Sequence, residues 1–206
     1  MTQFFTVHPQ NPQSRLIRQA AESLARGLVV YPTDSYYALG FLPENKDGAA
    51  RARLLRGLDE THLFTLLCRD LREIGHYGAV DTAAFRVIKK RIPGPYTFVL
   101  TALQKVSRHL CHPRRKTIAF RVPAHPVAQA LLEEAGEPII TTTLRMRGDE
   151  TPLAPSDFRA RLSGAVDVVL DAGPCSMTPT TVIDFSESAP RLLRQGGGAV
   201  DEDGML

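Results

Sequence analysis

The sequence predicts a single α/β domain built on a twisted mixed β-sheet flanked by helices. Three observations lead there. Runs of helical periodicity are interleaved with short β-rich runs, the pattern of helices packed on a sheet. Several β-rich runs follow one another with no long helix between them, so the sheet is not of the purely parallel kind. The length of 206 residues, with no internal repeat and no Pro/Gly-rich linker, suits one domain with a sizeable core. That domain is expected to span 1–206, with its core over about 12–196 and a mobile tail over 197–206.

The first helix is expected from Asn11 as cap and Pro12 in the first turn, with Leu16, Ile17, Ala20, Ala21 and Leu24 as one apolar stripe. Gly27 ends it, and 28–31 reads as the first buried strand. Further strands are expected over 63–68, 97–101, 117–122, 138–143, 166–170, 181–185 and 191–193. Helical patterns fall over 47–56, 81–91, 126–135 and, less regularly, 156–162.

Composition narrows the function. No apolar run approaches the roughly 18 residues of a membrane span. Met1 to Gln10 lacks the order of a signal peptide, and the three cysteines include no Cys-x-x-Cys, so reduced thiols in a cytoplasmic protein are expected. The net charge of +3 is unevenly spread. Asp201, Glu202 and Asp203 cluster near the end, whereas 82–132 holds no acidic residue. That stretch carries Arg86, Lys89, Lys90, Arg91, Lys105, Arg108, Arg114, Arg115, Lys116 and Arg121. Such asymmetry fits either a polyanionic ligand or a solvated basic face. Neither a P-loop nor a Gly-x-Gly-x-x-Gly fingerprint is present, and no Gly-x-Ser-x-Gly elbow. His109, Cys111 and His112 do not have zinc-ligand spacing, so no metal site made by protein side chains alone is expected.

The distinctive stretches are strand ends. Pro32-Thr33-Asp34-Ser35 runs on to Gly40, Pro93-Gly94-Pro95-Tyr96-Thr97 precedes a strand, and Arg121 to Pro126 leads from a strand into a helix. Thr141-Thr142-Thr143 closes one strand and Pro179-Thr180-Thr181-Val182 opens another. Threonine in strands and Pro/Gly in turns have ordinary explanations. Strand ends are also where α/β sheets bind ligands, and hydroxyls there can hold carboxylate or phosphate oxygens.

In that order, these motifs resemble those of the YrdC-like (threonylcarbamoyl-AMP synthase) family over nearly the whole chain, and the substitutions resemble its YciO branch. The resemblance implies a single YrdC-like domain and a nucleotidyltransferase. It would join L-threonine and bicarbonate as a carbamate, attack ATP at its α-phosphate and expel pyrophosphate. The product feeds threonylcarbamoyladenosine modification of tRNA, and magnesium is expected on the phosphates. The implied substrate- and nucleotide-binding residues are Thr33, Tyr37, Arg56, His62, Pro95, Thr97, Arg121, Thr141, Thr143, Arg145, Thr181 and Arg194; no catalytic residue is assigned. Two departures bear on turnover. The family's Lys-x-Arg is Arg56-Gly57-Leu58 here, and its Ser-x-Asn is Thr143-Leu144-Arg145. Slow turnover is therefore expected; Arg145 and Arg147 either sit in a solvent-facing loop neutralised by Asp149 and Glu150 or, if the chain stays extended past Thr143, replace the lost cation. The alternative is a non-catalytic module binding double-stranded RNA or tRNA through Lys89, Lys90, Arg91, Arg108, Arg114, Arg115 and Lys116.

Overall fold

A computed structural model describes residues 1–59, 62–104, 106, 111–112, 114–187 and 189–200. Its strands are β1 (Gln3–Thr6), β2 (Val29–Tyr31), β3 (Ala38–Phe41), β4 (Thr65–Leu67), β5 (Tyr96–Thr101), β6 (Thr117–Arg121), β7 (Ile139–Thr143), β8 (Val168–Asp171), β9 (Thr181–Asp184) and β10 (Arg191–Arg194). They form one sheet in the order β1-β8-β2-β3-β7-β4-β6-β5-β9-β10. Parallel pairs (β1 with β8, β2 with β8, β4 with β6, β5 with β9) mix with antiparallel ones. The helices are α1 (Ser14–Leu24), α2 (Lys46–Arg56), α3 (Leu71–Tyr77), α4 (Thr82–Arg91), α5 (Pro126–Ala135) and α6 (Phe158–Leu162).

Local chemistry sets the helix ends. Asn45 accepts the Gly48 N–H at 2.7 Å to start α2, and Gly57, at φ 66°, ends it. Asp81 caps α4 in the same way. Pro126 opens α5, and Gly136, at φ 72°, closes it. The expected cap at Asn11 is not formed. The Nδ1 of His8 accepts the N–H of both Gln10 and Asn11, holding them in a turn, and α1 begins later with Gln13 as an uncapped N-terminus.

The helices divide between the sheet's two faces, and this division makes the site. Ala52 of α2, Ile74 of α3, Ala84 and Ile88 of α4 and Phe158 and Leu162 of α6 pack with Val30, Leu39, Ile140, Leu66, Phe120, Phe98 and Ile183. On the other face, Ile17, Ala20, Ala21 and Leu24 of α1 and Val127, Ala128, Leu131 and Leu132 of α5 cover Val29, Tyr31, Ile139, Leu67, Val168 and Leu170. These two helices cover only part of that face. Residues opposed across a ladder project to the same side. Thr65 opposes Thr141, Ala38 opposes Thr143, Leu67 opposes both Ile139 and Arg121, and Val182 opposes Thr97 and Arg194. Those threonines and arginines therefore share the uncovered part of the face.

Three elements lie outside the sequence expectation: the edge strand β1, the central strand β3 and helix α3. The first residues of the expected tail are hydrogen-bonded to the sheet. The N–H of Gly196 donates to the Thr181 hydroxyl at 2.9 Å, that hydroxyl donates to the Gly198 carbonyl at 2.6 Å, and the Tyr96 hydroxyl donates to the Ala199 carbonyl at 2.8 Å. Residues 195–199 thus form a strap pinned to β5 and β9; the rest of the expected tail, 201–206, lies outside the described residues. No helix among the described residues is long and apolar enough to cross a membrane.

Candidate functional site

On the uncovered face lies a cavity of about 300 Å³. Its floor is a set of hydroxyls (Thr65, Thr97, Thr141, Thr143 and Thr180) and its cations are Arg56, Arg121 and Arg194; among the described residues no carboxylate lines it. Several hydroxyls are already used as acceptors. The Tyr31 hydroxyl donates to Thr141 Oγ1 at 2.8 Å, and Arg56 donates to Thr142 Oγ1. A threonine that accepts from within the protein keeps its own proton free to donate, so both are set to meet ligand oxygens. Burial raises the Tyr31 phenol well above its ordinary value, which keeps it a donor.

The three arginines differ. Arg121, at the end of β6, is buried and paired with Asp34 of the loop after β2 at 2.5 Å. Burial lowers its pKa, partly offset by Asp34. Its Nε and the Asp34 Oδ2 have no hydrogen-bond partner. Arg56, the last residue of α2, is held at about 10 by burial and then by the nearby Arg145, and its Nε is also unpartnered. Arg194 donates to the carbonyl and the hydroxyl of Thr180, both at 3.0 Å. His62, against the Phe64 ring, is pushed down to about 4 by burial and by Arg56 and Arg53, so it is a neutral imidazole near pH 7. The site therefore offers guanidinium groups and hydroxyl donors, an arrangement suited to phosphate or carboxylate oxygens.

Of the residues expected from sequence, Tyr37, Arg56, His62, Thr97, Arg121, Thr141, Thr143 and Arg194 line this cavity. Four do not. The Thr33 hydroxyl donates to the Tyr36 carbonyl at 2.6 Å and accepts the Ser35 N–H, so it shapes the turn after β2. Thr181 is fully buried and serves the strap. Pro95 accepts the Thr181 N–H through its carbonyl and sits beside Gly197. Arg145 is close enough to act on Arg56 and His62 but does not line the wall.

Strand β7 ends at Thr143, and a turn follows at Arg147 and Gly148. Leu144 is fully buried, with its N–H on the Tyr37 carbonyl, and the Arg147 N–H donates to the Leu55 carbonyl. The Arg147 side chain lies over Gly57, at the C-terminus of α2, and does not line the cavity. Leu58 is half-buried against the core. Ser35, Tyr36, Ala38, Leu63, Thr65, Thr142, Pro179, Thr180 and Val182 line the cavity without having been singled out. Thr142 and Thr180 stood inside the quoted motifs; Thr65 is placed only by its pairing with Thr141.

The basic residues expected to meet RNA fall into two groups. Lys89, Lys90 and Arg91 end α4, just before β5, whereas Arg114, Arg115 and Lys116 precede β6. Thr117 pairs with Thr101, the last residue of β5, so the groups lie at opposite ends of the β5–β6 hairpin, separated by roughly 17 Å of strand. Arg108 lies outside the described residues.

Comparison with known proteins follows the same geometry. The Sua5/YciO/YrdC family model, which carries the description "Telomere recombination", matches residues 23–196. The chain is 47% identical over 202 residues to the protein YciO of Escherichia coli, covering 97% of this chain and 98% of that one. The crystal structure of E. coli YciO superposes with a TM-score of 0.91, at 46% identity over 97% of this chain and 98% of the other. A threonylcarbamoyl-AMP synthase of Halorhodospira halophila is 31% identical, covering 87% of this chain and 94% of that protein. P. abyssi Sua5 complexed with L-threonine matches at 26% identity with a TM-score of 0.87, over 95% of this chain and 58% of the other.

Proposed function

Because the chain belongs to the Sua5/YciO/YrdC family, we propose that its cavity binds ATP and L-threonine together, as a threonylcarbamoyl-AMP synthase site with slow turnover. The observation that carries this reading is the hydroxyl floor with three arginines and, among the described residues, no carboxylate in the lining. The L-threonine complex of P. abyssi Sua5 supports the amino-acid half of it.

In the reaction, the threonine amine combines with bicarbonate to give a carbamate and water. A carbamate oxygen then attacks the α-phosphorus of ATP, the bond from that phosphorus to the bridging oxygen breaks, and pyrophosphate leaves. Such a step asks the protein for position and charge neutralisation more than for a nucleophile. Arg56 and Arg194 hold phosphate oxygens from two sides of the cavity, while the Thr141 and Thr142 hydroxyls donate to oxygens between them. With no carboxylate among the described lining residues, magnesium would be carried by the phosphates. Turnover is slow because Leu58 supplies no guanidinium and Arg147 lies over α2. A missing charge-assisted hydrogen bond of about 1.5–3 kcal/mol corresponds to roughly ten- to a hundredfold in rate.

The test is pyrophosphate release from ATP, measured with and without L-threonine and bicarbonate. Release that requires both, and that falls in Arg56→Ala, supports the reading. Release indifferent to threonine rejects it and leaves the RNA-binding module as the alternative.

A further inference from the structure

A second cavity, of about 600 Å³, opens beside α4. Tyr96 lines it, whereas Thr97, the next residue of β5, lines the first cavity. Successive residues of a strand project to opposite faces, so the two cavities lie on opposite faces of the sheet. Arg86, Lys90 and Arg91 supply the cations of the second, and Ala199 of the strap forms part of its wall. The three cations stand within about 7.5 Å of helix axis, little more than one turn. Among the described residues none of them has an ion pair, and no carboxylate lines the cavity.

Ordinary helix chemistry does not account for this set. The negative end of the α4 dipole favours Lys90 and Arg91 in the last turn, but Arg86 stands a turn earlier. Arg86 and Lys90 are four residues apart, where like charges repel and weaken a helix. Arg91 donates from Nη1 to the Val87 carbonyl at 3.3 Å, and its buried Nε has no partner among the described residues. The cations thus stand together at a cost in stability, which a multiply charged anion bridging them offsets. Lys89, adjacent in sequence, takes no part in the wall; its ammonium lies 5.7 Å from the Phe85 ring. The charges therefore converge on a concavity instead of spreading along the helix. A nucleic-acid duplex needs an extended basic face, whereas converging cations suit a compact ligand.

The geometry points to the cavity beside α4 as a binding site for a compact oligophosphate, either free pyrophosphate or triphosphate or the triphosphate of a nucleotide. Arg86 and Lys90 hold its oxygens from the side of the helix and Arg91 from the helix end. Tyr96 is fixed as wall, because its hydroxyl donates to the Ala199 carbonyl at 2.8 Å. Orthophosphate carries less charge and reaches fewer of the three cations, so it binds more weakly. The claim concerns the second cavity alone and stands whether or not the first one turns over ATP.

Calorimetric titration of the full chain with inorganic triphosphate tests it, in wild type, in the double variant Arg86→Ala, Lys90→Ala, and in Arg56→Ala. Arg86 and Lys90 are exposed, so the double variant should keep the wild-type Tm. The expected result is a site weakened at least tenfold in the double variant and by added salt, and unchanged in Arg56→Ala, which alters the first cavity only. Orthophosphate and sulfate should bind there at least tenfold more weakly than triphosphate. In Arg56→Ala, ATP that displaces triphosphate from this site marks a nucleotide as the carrier; ATP that does not marks the free oligophosphate. The proposal is overturned by no heat at millimolar triphosphate, by a double variant that binds as wild type does, or by sulfate binding as tightly. It is equally overturned if a short RNA duplex depends on Arg86 and Lys90 while triphosphate does not.

Discussion

Replacing Asp34 by alanine removes one partner from the buried pair at the floor of the first cavity. The side chains of Arg121 and Asp34 are only 10% and 13% exposed, and among the described residues no other acidic side chain is paired with Arg121. Breaking a buried pair from one side strands the other charge and costs about 3–5 kcal/mol. For a domain of this length each kcal/mol moves Tm by about 2–4 °C, so Asp34→Ala should lower it by roughly 6–20 °C. The double variant Asp34→Ala, Arg121→Met removes both charges at similar volume. It should recover most of the loss, because the pair as a whole is close to neutral against an apolar replacement. The double variant should nevertheless bind no anion at that wall, which separates stability from function. Urea unfolding of the three proteins measures the coupling. A loss under about 1 kcal/mol for Asp34→Ala, or a double variant as unstable as the single one, would refute the view that Asp34 is what keeps a charged Arg121 in the site.

Three further outcomes follow from the same geometry. His62 is held near 4 against an ordinary value of 6.5, so the folded state favours its neutral form. Its contribution to stability is complete above pH 6.5 and is lost as pH falls from there toward 4. Allowing for its partial exposure, wild type should lose about 1 kcal/mol more than His62→Gln between pH 7 and pH 5 in urea titrations. In Gly198→Ala a new Cβ would lie 2.4 Å from the Tyr96 ring, which its own hydroxyl anchors to Ala199, so the strap must shift; a cost of about 1–3 kcal/mol is expected, and an unchanged Tm would show that the strap does not need glycine. Leu58→Arg should raise threonine-dependent pyrophosphate release about tenfold or more while losing some packing against the core; a folded variant with unchanged release would remove this position from the explanation of slow turnover.

Much of the fold was legible because its punctuation is local. Pro126 and Gly136 bound α5 at the expected residues, since each acts through its own backbone geometry. Helix α3 carried a readable signal in Asp70 and Glu73, where Asp70 accepts the Glu73 N–H and Glu73 reaches back to the Arg69 N–H. Gly75 in its middle interrupts the helical pattern and hid it. Strand β1 is an edge held by β8, some 160 residues away, and no local pattern announces such a partner. Strand β3 is buried over all four residues, so it lacks the alternation by which a half-exposed strand is read.

The site was legible as a set of strand ends and illegible in its facing. Thr141 and Thr181 look alike in sequence, yet one meets the cavity and the other is enclosed by the strap. That difference depends on register with strands far away in the chain, which residue type does not encode. The place of Arg147 is set by contacts with the end of α2, the Leu55 carbonyl and Gly57, which lie some ninety residues away in the chain.

The account rests most heavily on the first cavity holding nucleotide and amino acid at once. Calorimetric titration of a non-hydrolysable ATP analogue, with and without saturating L-threonine, tests this directly. The account predicts one nucleotide site, tightened by threonine and weakened about tenfold in Arg56→Ala. No heat at millimolar nucleotide in either condition, from a folded protein, would contradict it.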